Sequence, residues 1–359
     1  MLALVALGER AFKRVEIHAL APQTWVWRQT ADAARGTEAK ADILCFGDSL
    51  MEMGLLPKVI AARTGRPAYN LAIPRGQPAS SYYLLRRALR AGARPTAVVV
   101  EVAPHLLRLA NNGPVEREKW SELLSFTEQF DLARTTRDLD LFIRLTVSRF
   151  LPTFRNCHGI RAALRGNGAH ALFQAAQYLR NARRNCGAIV NNPVPSTSLS
   201  LPANNPHTRA LFENFACDPV NSEYLERFVA LAEGRGIAVY LLVPPVAVEG
   251  QQYAEESGFD AAQTSFVQSL QRRHPGVTVL DARHAGYGRE LFLQDLIHLN
   301  RFGATVLSDD VAFVLGPSSI DGPSGWVRLP NYRARPIDAP VEDIAETAIA
   351  ITVGSPVRR

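Results

Sequence analysis

The sequence predicts an α/β fold, a three-layer α/β/α sandwich around a central parallel sheet that carries a helical insertion. Three observations point there. Short apolar runs ending in turn residues alternate with helical stretches, the pattern of βαβ units. The runs are apolar throughout, as strands covered on both faces must be. The alternation stops after Pro104 and resumes near residue 222, so the block between is an addition to the sheet. Right-handed crossovers then place helices on both faces.

The elements follow in order. Residues 1–40 form an amphipathic lead-in with Trp25 and Trp27 as aromatic anchors. Ile43–Phe46 is a buried strand that feeds a turn at Gly47. A helix runs from there to about Arg63, where Thr64-Gly65-Arg66-Pro67 stops it. Residues 68–73 form a second strand, 78–91 a helix and 97–102 a third strand. Residues 119–184 read as several helices, and 191–206 as a Pro/Asn/Ser loop. Then come helix 222–235, strand 238–243, helix 259–273, strand 277–280 and helix 302–315. The Pro-rich tail, 316–359, is expected to lie over the surface or to be partly mobile. The domain plan is therefore a lead-in over 1–40, an α/β domain over 41–315 with an insertion at about 106–220, and the tail.

Composition narrows the function classes. A hydrophobic content of 47% with 21% charged residues excludes wholesale disorder. The net charge of +6 is carried by arginine, since lysine occurs only at Lys13, Lys40, Lys58 and Lys119. Residues 141–212 hold no Asp, Glu or Lys but nine arginines: 144, 149, 155, 161, 165, 180, 183, 184 and 209. Two readings of that block stand open. Its arginines pair with carboxylates elsewhere, or they form an anion-facing lid or membrane-surface contact. No helix-turn-helix, RNA-recognition or zinc-finger pattern is present, so nucleic acid is not an expected partner.

No run of about 18 apolar residues suggests a transmembrane helix. The first residues lack the basic region and cleavage site of a secretory signal, so the expectation is cytoplasmic, or extracytoplasmic if an upstream segment is missing. Cys45 sits in an apolar run and reads as a small buried hydrophobe. Cys157, Cys186 and Cys217 could include one disulfide, with the pair left open. No C-x-x-C occurs, and His105, His158, His170, His207, His274 and His284 lack metal-ligand spacing. There is no Walker loop or G-x-G-x-x-G. Neither a metal nor a cofactor is expected.

Two motifs carry chemistry. In open α/β sheets, function gathers at the carboxyl ends of strands. Gly47-Asp48-Ser49-Leu50 stands at such an end, where a helix-start N–H can hold an oxyanion and Gly47 permits a sharp turn. An ordinary helix cap at Asp48 or Ser49 is the plain alternative. Asp295-Leu296-Ile297-His298 precedes the last helix; a helical turn would bring its Asp and His together. The carboxylate would then fix the imidazole tautomer and leave the other ring nitrogen for a serine proton. No G-x-S-x-G elbow surrounds Ser49, which argues against the α/β-hydrolase fold.

Together, Gly-Asp-Ser after the first strand and D-x-x-H before the final helix resemble the SGNH (GDSL) hydrolase superfamily, over roughly residues 41–105 and 222–315. The resemblance implies a flavodoxin-like sandwich and a catalytic triad of Ser49, Asp295 and His298. It implies an oxyanion hole built from the amides of Ser49 and Gly76. The family's third block, G-x-N-D, is missing: the third strand ends Val100-Glu101-Val102-Ala103-Pro104-His105. His105 or Asn70 are the candidates to replace its Asn, or the hole rests on backbone donors alone. The chain is similar to divergent members that add or remove O-acetyl groups on bacterial envelope polysaccharides. That likeness implies esterase or acyltransferase activity on a small-molecule or polysaccharide ester. The other reading is a catalytically weak or inactive module that binds a glycan or protein.

Overall fold

The computed structural model describes residues 7–12, 22–108, 114–162, 165, 168–193, 212, 215–316 and 325–354. Its centre is a six-stranded, all-parallel sheet. The strands are β1 (Ile43–Phe46), β2 (Ala68–Asn70), β3 (Ala97–Glu101), β4 (Ala238–Val243), β5 (Thr278–Asp281) and β6 (Gly325–Arg328), in the order β2-β1-β3-β4-β5-β6. Ile43 stands opposite Ala68 on one side and Ala97 on the other, and Ala97 opposite Ala238. The α/β sandwich expected from the sequence is the fold of this chain.

Successive strand residues point to opposite faces, and both faces are dry. Ile43, Cys45, Ala97, Val99, Tyr240 and Leu242 share a core with Val59, Ile60, Leu307 and Val311 from the helices Pro57–Thr64 and Arg301–Leu315. Phe46, on the other face, meets Phe228 edge-on at 5.2 Å. Phe228 belongs to the helix Pro219–Glu233, which is tied to the helix Pro78–Arg90 by a 2.7 Å Tyr83–Tyr224 hydroxyl bond. Burial on both faces is why these strands show no polar alternation in the sequence.

The chain divides into two compact units. One comprises Met1–Asp32 with Ala110–Arg180, the other Ala33–Leu109 with Asn181–Arg359. The first unit is helical. Trp27 and Trp120, both buried, pack edge to face at 5.2 Å. Glu122 receives a two-pronged bond from Arg28 at 2.9 and 3.0 Å and lies 3.0 Å from Arg155. Arg144 pairs with Asp140, and in the second unit Arg184 faces Glu342. Carboxylates therefore meet Arg144, Arg155 and Arg184; Arg209 and His207 lie outside the described residues, as does most of the loop expected over 191–206.

Several details depart from expectation. The helix expected to run to Arg63 is two helices, Ser49–Gly54 and Pro57–Thr64, because Pro57 opens a new helix with its fixed φ and missing N–H. β2 ends at Asn70 rather than Ile73. The tail does not merely cover the surface. β6 extends the sheet, the Trp326 indole donates to Asp281 Oδ2 at 3.1 Å, and Leu329 and Val341 are buried. A helix follows at Ile344–Gly354. Proline-rich flanks and a strand of four residues hid this edge from a reading of periodicity. No disulfide forms: Cys45, Cys157, Cys186 and Cys217 are all free. No helix among the described residues is long and apolar enough to cross a membrane.

The sixth strand makes a prediction. Ending the chain after Gly316 exposes the β5 edge and removes two buried apolar side chains, and should cost about 3 kcal/mol or more. Denaturant titration would show it; equal midpoints for full and shortened chains would contradict the role given to β6.

Candidate active site

β1 turns to β2 on one side and the chain then returns to β3 on the other, so a crevice opens where the carboxyl ends of β1 and β3 diverge. The Gly47-Asp48-Ser49 turn leaves β1 there, and Glu101 closes β3 beside it.

Ser49 is the first residue of its helix and Asp48 the N-cap, its Oδ1 accepting the Leu50 N–H at 2.8 Å. The helix-cap reading is thus true of Asp48, and it leaves the Ser49 hydroxyl available. Ser49 Oγ lies 2.8 Å from His298 Nε2, and His298 Nδ1 lies 2.5 Å from Asp295 Oδ2. The other Asp295 oxygen, Oδ1, accepts the N–H groups of Ile297 and His298, each at 3.0 Å. Burial pushes the Asp295 carboxyl up, but the His298 imidazole and those two amides outweigh it and hold the group below the usual range.

The expected helical turn at Asp295–His298 is not what joins them. The segment is a tight loop between the bridged residues Phe292 and Leu299, closed by Leu293 N–H to His298 O at 2.7 Å. Leu296 takes a left-handed φ of 62°. Asp295 caps its own turn, as Asp side chains do two and three residues on. The same spacing brings the pair together by a different backbone route.

The oxyanion donors expected at Gly76, Asn70 and His105 are otherwise engaged. The Gly76 N–H donates to Ile73 O at 2.7 Å. Gly76 is there for space: a Cβ would stand 2.5 Å from Gly47 O and 2.9 Å from Ile73 O. Asn70 Nδ2 donates to Met51 O and Leu55 O, and its Oδ1 accepts from Ala72. His105 Nε2 lies 2.6 Å from Asp48 Oδ2. Of the expected donors, the Ser49 N–H remains, which as the first of its helix has no intrahelical acceptor.

Sequence reasoning missed what surrounds this amide. Glu101 Oε2 accepts the N–H groups of Asp48 at 2.9 Å and Met51 at 3.2 Å. Gly47 is glycine because a Cβ would approach Glu101 Oε2 to 2.4 Å, so close contact rather than turn geometry requires it. Glu52, fully buried, has no partner for either oxygen. Burial, with the Asp48 charge adding, raises the Glu52 carboxyl well above the usual range; Glu101 is raised by the same two causes. Burial lowers the His105 imidazole, but Asp48 more than reverses it and its affinity for a proton is raised. The signal available in the sequence was a lone Glu ending the run Ala97-Val98-Val99-Val100.

Ligand atoms of Asp48, Glu101 and His105 lie within 4.8 Å of one another, a donor set that could hold a cation. Here Asp48 and His105 are bonded to each other at 2.6 Å, and Glu101 Oε2 accepts the amides of Asp48 and Met51. The group reads as a hydrogen-bond network.

Fold and site define an α/β protein with a Ser–His–Asp chain at the switch point of a parallel sheet. The chain belongs to the family described as "Protein of unknown function (DUF1574)", which matches residues 26–287. That stretch holds Ser49, Glu101 and His105 and ends before Asp295 and His298. No curated protein matches the chain.

Two predictions follow from the geometry. Gly76→Ala sets a Cβ against two backbone oxygens that cannot rotate away, and should cost about 1–3 kcal/mol in a denaturant titration. For Glu52, the folded value lies above the unfolded one of about 4.3, so its share of stability is full below that value and is lost as pH rises through the folded value. Glu52→Gln should therefore flatten the fall in melting temperature as pH rises above about 4.3. Parallel curves for the two proteins would overturn the assignment.

Proposed function

We propose that the chain is a serine esterase or O-acyltransferase of the SGNH (GDSL) type, working through an acyl-serine intermediate on O-acetyl groups of a carbohydrate. The observation that carries this reading is the unbroken chain Ser49 Oγ–His298–Asp295 at 2.8 and 2.5 Å, within the reach proton transfer needs. His298 takes the Ser49 proton as Oγ attacks the ester carbonyl. Asp295, held ionised, orients the ring and stabilises the imidazolium. The Ser49 amide meets the oxyanion, and His298 returns its proton to the departing alcohol. Water or a sugar hydroxyl then takes the acyl group.

The engagement of the Gly76 amide and of both candidates for the missing Asn favours a second reading, a catalytically weak or inactive module that holds a glycan or protein. Losing one donor costs about 2.7–4 kcal/mol of transition-state stabilisation, so slow turnover follows from this hole even if the triad works. The Arg-rich segment is proposed as a contact for an anionic surface, on its charge alone.

A fluorophosphonate probe should label Ser49, and Ser49→Ala should abolish both labelling and ester turnover, while Asp295→Asn should cut turnover by about 10⁴-fold. Folded protein that takes up no label at Ser49 would leave the binding-module reading standing.

A further inference from the structure

A pocket opens beside the triad. Leu50, next to the nucleophile, and Ile297, next to the base, both line it. Val243, Pro244 and Val246 from the end of β4 form another wall, and Phe212 and Phe259 stand edge to face at 5.6 Å among the lining residues. Its surface is almost wholly apolar.

The polar side chains that line it are each bonded within the protein. His105 is bound to Asp48. Arg283 donates to Asp260 and Asp281 at 2.7 Å each. Gln251 donates to Glu255 and Asp260, and Gln263 to Val102 O. Every cation there has its carboxylate, so a charged ligand end would enter without a partner and lose its hydration. The cavity is also small, about 30 Å³. Sites for drug-sized ligands run to hundreds of Å³, so a sugar ring does not fit this one.

We infer that this is the acyl pocket, and that it takes a short, uncharged aliphatic acyl group of roughly two to four carbons. The inference rests on the serine-hydrolase reading, since the occupant is named by the ester carbonyl that Ser49 would attack. An apolar pocket flanked by the neighbours of nucleophile and base receives whatever is attached to that carbonyl. The alcohol must then leave by another side. Selectivity against a charged chain terminus would come from volume and desolvation, because each cation in the wall already faces a carboxylate.

The test is a panel of p-nitrophenyl acetate, butyrate, octanoate and hemisuccinate with wild type, Ser49→Ala, Val246→Ala and Val246→Trp. Val246 is only partly buried, and ratios of kcat/KM between esters cancel differences in folded fraction. Wild type should prefer acetate and butyrate over octanoate and hemisuccinate by about tenfold or more. Val246→Ala should raise the octanoate-to-acetate ratio, and Val246→Trp should lower the butyrate-to-acetate ratio, each by about tenfold. Octanoate or hemisuccinate turned over as well as acetate by wild type, or ratios unmoved by both variants, overturns the pocket assignment. Turnover that still depends on Ser49 would then leave the esterase reading intact. No Ser49-dependent turnover of any ester would sink that reading, and the pocket with it.

Discussion

The bonds from the amides of Asp48 and Met51 to the Glu101 carboxyl fasten the start of one helix to the end of the neighbouring strand. Three N–H groups at that helix start are consumed this way, counting Leu50 on Asp48. The one left over belongs to Ser49. The same contact forbids a side chain at Gly47, and the carbonyl of Gly47 in turn forbids one at Gly76. One buried carboxyl thus fixes the turn that carries Ser49 and requires the glycine at its start. It has a cost, since Glu101 Oε1 is buried without a partner, a penalty of about 1–3 kcal/mol.

Much of this was legible. Strands covered on both faces write themselves as apolar runs, so β1, β3 and β4 could be read directly, and parallel order followed from the helices between them. Ser49, Asp295 and His298 were legible as motifs because each depends on local spacing. Their meeting across the fold needs the sheet to bring residue 49 to residue 298.

What was hidden is of another kind. Glu101 acts through atoms 50 and 53 positions away, and no local pattern marks such a bond. Asn70 looked free to donate, yet three backbone groups engage its side chain. His105 looked like a replacement donor but bonds to Asp48. Periodicity also fails at the margins: β6 has four residues, none fully buried, so its pattern is weak beside the prolines around it.

The chain order of the triad has a consequence for biosynthesis. Ser49 leaves the ribosome early, with β1 and its helix, while His298 arrives some 250 residues later. β3 and β4, neighbours in the sheet, are likewise separated by the whole inserted block, so their pairing must wait for that block to be made. Until the Asp295–His298 loop closes on the crevice, the serine is an unactivated alcohol at ordinary reactivity. Chains that end before residue 295 lack the His298 bond to Ser49, and with it the activation proposed for that serine. In the proposed mechanism, acyl transfer therefore begins only once the Asp295–His298 loop has been made and has folded onto the crevice.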